Sequence, residues 1–102
     1  MTQRATHRAA ALRAVDSYPR HRLHVEADAD PGALLRLLEP FAVCGVMPAR
    51  ILVESAPGGS GLNADLSFTA PPEIAERLLA RVAALVPVRA ARLVLAAPVL
   101  AA

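Results

Sequence analysis

The sequence predicts an α+β chain of the ferredoxin-like type, β-α-β-β-α-β, with a four-stranded antiparallel sheet carrying two helices on one face. Three observations carry that expectation. Hydrophobic residues switch between a spacing of two and a spacing of three to four, which marks strands and helices in turn. Glycines and prolines fall at the junctions between those segments. A weak internal repeat returns Pro31, Leu34 and Leu38 as Pro71, Ile74 and Leu78 about 40 residues on. Two β-α-β halves with right-handed crossovers, joined by a hairpin, account for the whole order.

From His21 to Ala27, Leu23, Val25 and Ala27 alternate with Arg22, His24 and Glu26, the period of a half-buried first strand. Asp30-Pro31-Gly32 follows. The Asp30 carboxylate can cap an orphan amide one turn in, and Pro31 suits a first helical position that needs no N–H. A helix is therefore predicted from there to Gly45, which can take the left-handed conformation that ends it. Leu34, Leu37, Leu38 and Phe41 are its expected buried stripe. Met47 to Ala56 gives a second strand around Ile51, Leu52 and Val53, and Pro57 to Gly61 is a turn of hairpin length.

The third strand points Leu62, Ala64, Leu66 and Phe68 inward and Asn63, Asp65 and Ser67 outward. Pro71-Pro72-Glu73 opens a second helix with the stripe Ile74, Leu78, Val82 and Leu85, and Pro87 ends it. Val88 to Leu95 is the fourth strand; Arg89 and Arg92 interrupt its alternation and predict a bulge or a register irregularity. Pro48 and Pro87 fall at the second and fourth strands. This topology puts both at the sheet edges, where a missing donor is tolerated.

A chain of 102 residues has room for one domain. Residues 1–20 read as an arm rich in arginine and alanine, 21–96 as the folded domain and 97–102 as a tail. Up to Arg22 there are five arginines against Asp16 alone, whereas Leu23 onward holds six against eight acids. The folded part is thus mildly acidic, which argues against a nucleic-acid partner. The single cysteine, Cys44, excludes an internal disulfide and any C-x-x-C site. No apolar run is long enough to span a bilayer and no signal-peptide core is visible, so the expected location is cytoplasmic, with no membrane partner.

Catalytic patterns are not found. His21 and His24 are three apart on a strand, so they point to opposite faces and cannot share a metal; no metal or cofactor is expected. There is no nucleophile elbow and no phosphate loop. The chain reads as a non-enzyme. Glu26, Asp28 and Asp30 are spaced i, i+2, i+4, so three carboxylates repel on one side of an extended segment, and an arriving cation or ammonium would relieve them. The amides of Gly32, Ala33 and Leu34, at the helix start, suit a carboxylate.

A strand with Leu23 and Val25, the D-x-D-P-G turn of Asp28 to Gly32, the A-L-x-R-h-h-x-x-F-x-x-x-G helix of Ala33 to Gly45 and a strand with Ile51, Leu52 and Val53 together resemble an ACT domain. The comparison nearest in pattern is the small regulatory subunit of acetolactate synthase. The resemblance implies a regulatory homodimer that binds an amino-acid effector and controls a separate catalytic subunit. It also implies the site: Asp28, Ala29, Asp30, Pro31, Gly32 and Ala33 of one subunit, with Val46, Met47 and Pro48 at the start of a neighbouring subunit's second strand. Two positions depart from the pattern. Ala29 stands where the acetolactate synthase subunits have asparagine, and Met47-Pro48 replaces their N-I. Both changes remove polar donors, which keeps open a structural assembly module with a decayed ligand site. RNA binding by the same topology ranks third, because the first strand has no aromatic and Phe68 points inward.

Overall fold

The computed structural model describes residues 18–95. The expectations for residues 1–17 of the arm and for 96–102 lie outside those residues. The elements are β1 (Arg20–Ala27), α1 (Pro31–Cys44), β2 (Arg50–Ser55), β3 (Leu62–Thr69), α2 (Pro72–Ala83) and β4 (Val88–Leu95). They form one antiparallel sheet in the order β2-β3-β1-β4. This is the predicted βαββαβ arrangement, with the two halves interleaved.

The central strands β1 and β3 carry the core because both of their neighbours are strands and the helices cover one face. Leu23, Val25 and Ala27 of β1 and Ala64, Leu66 and Phe68 of β3 are all buried, and Leu23 pairs with Leu66 across the ladder. Leu37 and Phe41 of α1 and Ala75, Leu78 and Val82 of α2 close over them. Phe41 meets Phe68 edge to face at 5.4 Å between ring centroids. His21 is buried in the same layer, stacked on Phe68 at 5.5 Å, and its Nε2–H donates to the Ala70 carbonyl at 3.1 Å. His24 lies on the other face, as the alternation requires.

Helix α1 begins and ends as its sequence dictates. Asp30 is the N-cap and accepts from the Gly32 amide at 3.1 Å, and Pro31 takes the first turn. At the other end Gly45 adopts φ 70°, ψ 29°; its N–H reaches Ala42 O and the Val46 N–H reaches Phe41 O. That pair of bonds is a Schellman closure. The buried stripe differs from the expected one. Ala33, Leu37, Pro40 and Phe41 face the core, while Leu34 is 36% exposed, so the buried face is centred on Ala33, Leu37 and Phe41 and not on Leu34. Pro40, inside the helix, leaves the Arg36 carbonyl without its helical donor.

The repeat is also displaced by one position. Pro31, Leu37 and Phe41 correspond to Pro72, Leu78 and Val82, because Pro71 is the N-cap of α2 and Pro72 its first residue. Leu85 lies past the end of α2 and still packs on the core. Both edge prolines precede their strands, so no ladder donor is lost. The Ala49 N–H joins Ser67 O, and Pro87 O accepts from the Asp28 N–H at 2.8 Å.

The connection from β2 to β3 is a single 3-10 turn, Pro57–Gly59, with Gly58 and Gly59 at positive φ. Gly61 is fixed by a different constraint. A Cβ there would lie 2.9 Å from the Ala27 carbonyl oxygen and 3.0 Å from an Arg89 nitrogen, so β1, β4 and the hairpin approach closely at one point. The predicted irregularity in β4 is present at the same place. Glu26 pairs with Ala90 and Ala27 with Val88, leaving Arg89 as the extra residue of a bulge.

Candidate functional site

The turn between β1 and α1 is built by backbone bonds that leave its side chains outside. The Asp30 N–H donates to Asp28 O and the Ala33 N–H to Asp30 O. Asp28, Ala29, Asp30 and Pro31 are exposed, Gly32 is half-buried, and the Ala33 methyl is in the core. A Cβ on Gly32 would make only ordinary contacts, 3.7 and 3.8 Å from the Asp30 carboxylate oxygens.

The chain satisfies part of this corner by itself. Asp28 accepts from Arg89 Nε at 2.7 Å, and Arg89 Nη2 donates to Ser60 O at 2.8 Å. Arg89 therefore ties the end of β1 to the β2–β3 hairpin across the bulge. The Gly32 amide is engaged by Asp30, so the row of three acids is not an unrelieved cluster: Asp28 is paired, Asp30 caps, and Glu26 is exposed on the sheet.

Val46, Met47 and Pro48 lie at the opposite end of α1. Val46 is bound into the helix closure and packs on the core, Pro48 is half-buried, and Met47 is 86% exposed. With 14 residues in the helix, the two halves of the predicted site are about 20 Å apart within one chain. The fold does not bring them together in a monomer.

Sequence reasoning missed two groups. One is Arg89, whose position at a broken alternation was the available signal. The other lies on the open face of the sheet, where Asp65 Oδ1 accepts from Arg22 Nη2 at 3.3 Å and sits 3.2 Å from His24 Nδ1. Partial burial pushes the Asp65 carboxyl up, but the His24 hydrogen bond and charge, and then those of Arg22, outweigh it and hold it below its ordinary value of 3.8. A carboxyl depressed in the folded state stabilises the fold at any pH above its unfolded value, and that contribution disappears as pH falls through the folded one. Asp65→Asn is accordingly expected to melt below the wild type at about pH 5, with the gap narrowing as the pH is taken down through and below the ordinary carboxyl range. Thermal melts over a descending pH series check it.

Among the described residues there is no group of three or more His, Cys, Asp or Glu placed to hold a metal ion. No helix among them is long and apolar enough to cross a membrane.

No protein-family model matches the chain, and no curated protein matches it in sequence. Solved structures do. The C-terminal domain of the MgtC protein from Mycobacterium tuberculosis superposes with a TM-score of 0.63 at 14% identity, covering 78% of this chain and 88% of that one. The ligand-free regulatory subunit of aspartate kinase from Thermus thermophilus does so at 0.59 and 18%, covering 74% of this chain and 50% of that one. What they share with this chain is the fold, a four-stranded antiparallel sheet with two helices in the βαββαβ order of the ferredoxin-like type. A homoserine dehydrogenase from Thiobacillus denitrificans contains a similar unit, with a TM-score of 0.64 at 14% identity over 76% of this chain and 17% of the enzyme. At such identities the likeness is one of fold alone.

Proposed function

We propose that this chain is an ACT-like regulatory module that dimerises through the outer edge of β2. In this reading it takes a free amino acid between the β1–α1 turn of one copy and the start of β2 of the other. The uncovered edge carries the proposal. All six residues of β2 are exposed, and its apolar centre, Ile51, Leu52 and Val53, is only about 60% covered. One side of the strand has no partner among the described strands. Such an edge is a template for another strand.

A two-fold axis beside Leu52 makes the edge self-complementary. It pairs Ile51 with Val53 of the partner subunit and Arg50 with Glu54 of the partner subunit, and opposite charges directly across a ladder attract. The same axis runs the partner's β2 antiparallel, which carries its start to the end of the sheet where Asp28 to Ala33 lie. Two sequence segments about 20 Å apart in one chain thereby become neighbours. The aspartate kinase subunit is named as regulatory, and control of a separate catalytic subunit is the corresponding role for this chain.

One observation favours a second reading. Asp30 on the Gly32 amide and Arg89 on Asp28 complete much of the corner within the chain, as in an assembly module that no longer senses anything. A melting panel of the twenty amino acids at millimolar concentration separates the two. A ligand at 100 times its dissociation constant adds about 2.7 kcal/mol, a shift of roughly 10 °C or more in a domain this small. The regulatory reading expects one amino acid to produce it and Gly32→Leu to abolish it while the protein stays folded. A dimer that responds to none of the twenty selects the assembly reading.

A further inference from the structure

The sheet face turned away from the helices takes no part in the corner just described, and its residues fall into rows fixed by the strand register. Arg50, Ser67, Arg22 and Val94 form one row, Leu52, Asp65, His24 and Arg92 the next, and Glu54, Asn63, Glu26 and Ala90 the third. Arg20, paired with Thr69, lies one step beyond the first row. Charge is thus segregated along the strands, with arginines and hydroxyls at one end and glutamates at the other. We propose that the arginine end binds a small, multiply charged phosphate.

The backbones of β2 and β1 are separated by β3 and so lie about 10 Å apart. Guanidinium groups on Arg50 and Arg22 can converge from the two sides over the Ser67 hydroxyl. Between them lies a depression of about 280 Å³, lined by Arg22, Arg50, Leu52, Asp65 and Ser67. One of the two groups is already oriented. Arg22 Nη2 rests on Asp65, which is braced in turn by His24, and the planar guanidinium keeps further N–H donors for a ligand. Among the described residues no carboxylate lies within ion-pair distance of Arg50.

Two guanidinium groups in one row repel, and an anion between them relieves that repulsion. The Asp65 charge in the lining opposes any anion, and the ligand has to offset it through hydrogen bonds. A phosphate with several oxygens can accept paired bonds from both guanidinium forks at once, which a carboxylate with two oxygens cannot. The site does not use the β1–α1 turn, so it is independent of amino-acid binding there; it shares Arg50 with the proposed β2 edge, where Glu54 of the partner subunit lies across from it.

The test is an NMR titration of the full chain with pyrophosphate at low salt, referenced to sodium chloride at matched ionic strength. Expected are saturable shifts centred on Arg22, Ser67 and Arg50. Arg50→Gln, an exposed change that leaves the circular dichroism unaltered, weakens binding about tenfold or more, and Arg50→Lys recovers only part of it. Arg81→Gln, on α2, leaves binding unchanged. Shifts that track ionic strength without saturating would overturn the proposal, as would an equal loss from Arg81→Gln. So would a single-stranded oligonucleotide that displaces pyrophosphate while perturbing the whole open face.

Discussion

Phe68→Ala is expected to lower the melting temperature by on the order of 15–30 °C, the largest effect of any single truncation in this chain. Phe68 is fully buried at the middle of the layer between sheet and helices. Its ring receives Phe41 edge-on at 5.4 Å from one side and is stacked on His21 at 5.5 Å on another. The chain has two phenylalanines and one tyrosine, and alanine supplies much of its hydrophobic content, so Phe68 is one of the few large side chains that fill the core. Truncating a buried phenylalanine costs about 3–5 kcal/mol, a large share of the roughly 5–15 kcal/mol that stabilises a domain of this size. Phe68→Leu keeps most of the volume and is expected to cost less than half as much. Urea and thermal unfolding of the two variants beside the wild type measure the difference.

Val53→Lys is expected to convert a dimer into a monomer. Val53 is 37% exposed on the edge strand and faces the helix side of the sheet, opposite Ala64 of β3. In the proposed pairing it meets Ile51 of the partner subunit, so an ammonium there has to be stripped of water against an apolar side chain or swing out of the interface. Lysine on an edge is also how strands are kept from pairing. The fold tolerates the change because the side chain reaches solvent in the monomer. Sedimentation equilibrium is expected to give twice the 10.7 kDa chain mass for the wild type and the single mass for the variant. An amino-acid response in the wild type should vanish in the variant as well, since the proposed site takes residues from both copies.

The fold was legible where burial is one-sided and regular. β1 and β3 alternate cleanly because each presents one face to the helices and one to water, and α1 is bracketed by a cap and a glycine whose roles are local. The bulge in β4 was legible for the same reason: Arg89 broke a pattern. The buried face of α1 was not, because Leu34 and Ala33 are both apolar and the helical spacing alone does not choose between them. The one-residue slip in the repeat has a similar origin, since Pro71 and Pro72 both suit a helix start. The pairing of Arg89 with Asp28, 61 positions away, and the contacts of Asp65 with Arg22 and His24 depend on strand register. Composition does not supply register. The turn residues Asp28 to Ala33 could be named from the sequence, but how far the chain fills its own corner could not.

The most direct test is an isotope-filtered NOE experiment on a mixture of labelled and unlabelled chains, run with the amino acid that gives the largest thermal shift. The account predicts contacts between Ala29 or Gly32 of one copy and Met47 of the partner subunit, together with contacts between Ile51 and Val53 of the partner subunit. Contacts between copies that run instead through Leu52, Asp65 and His24 on the open sheet face, or the absence of any from a chain of single mass, would contradict it.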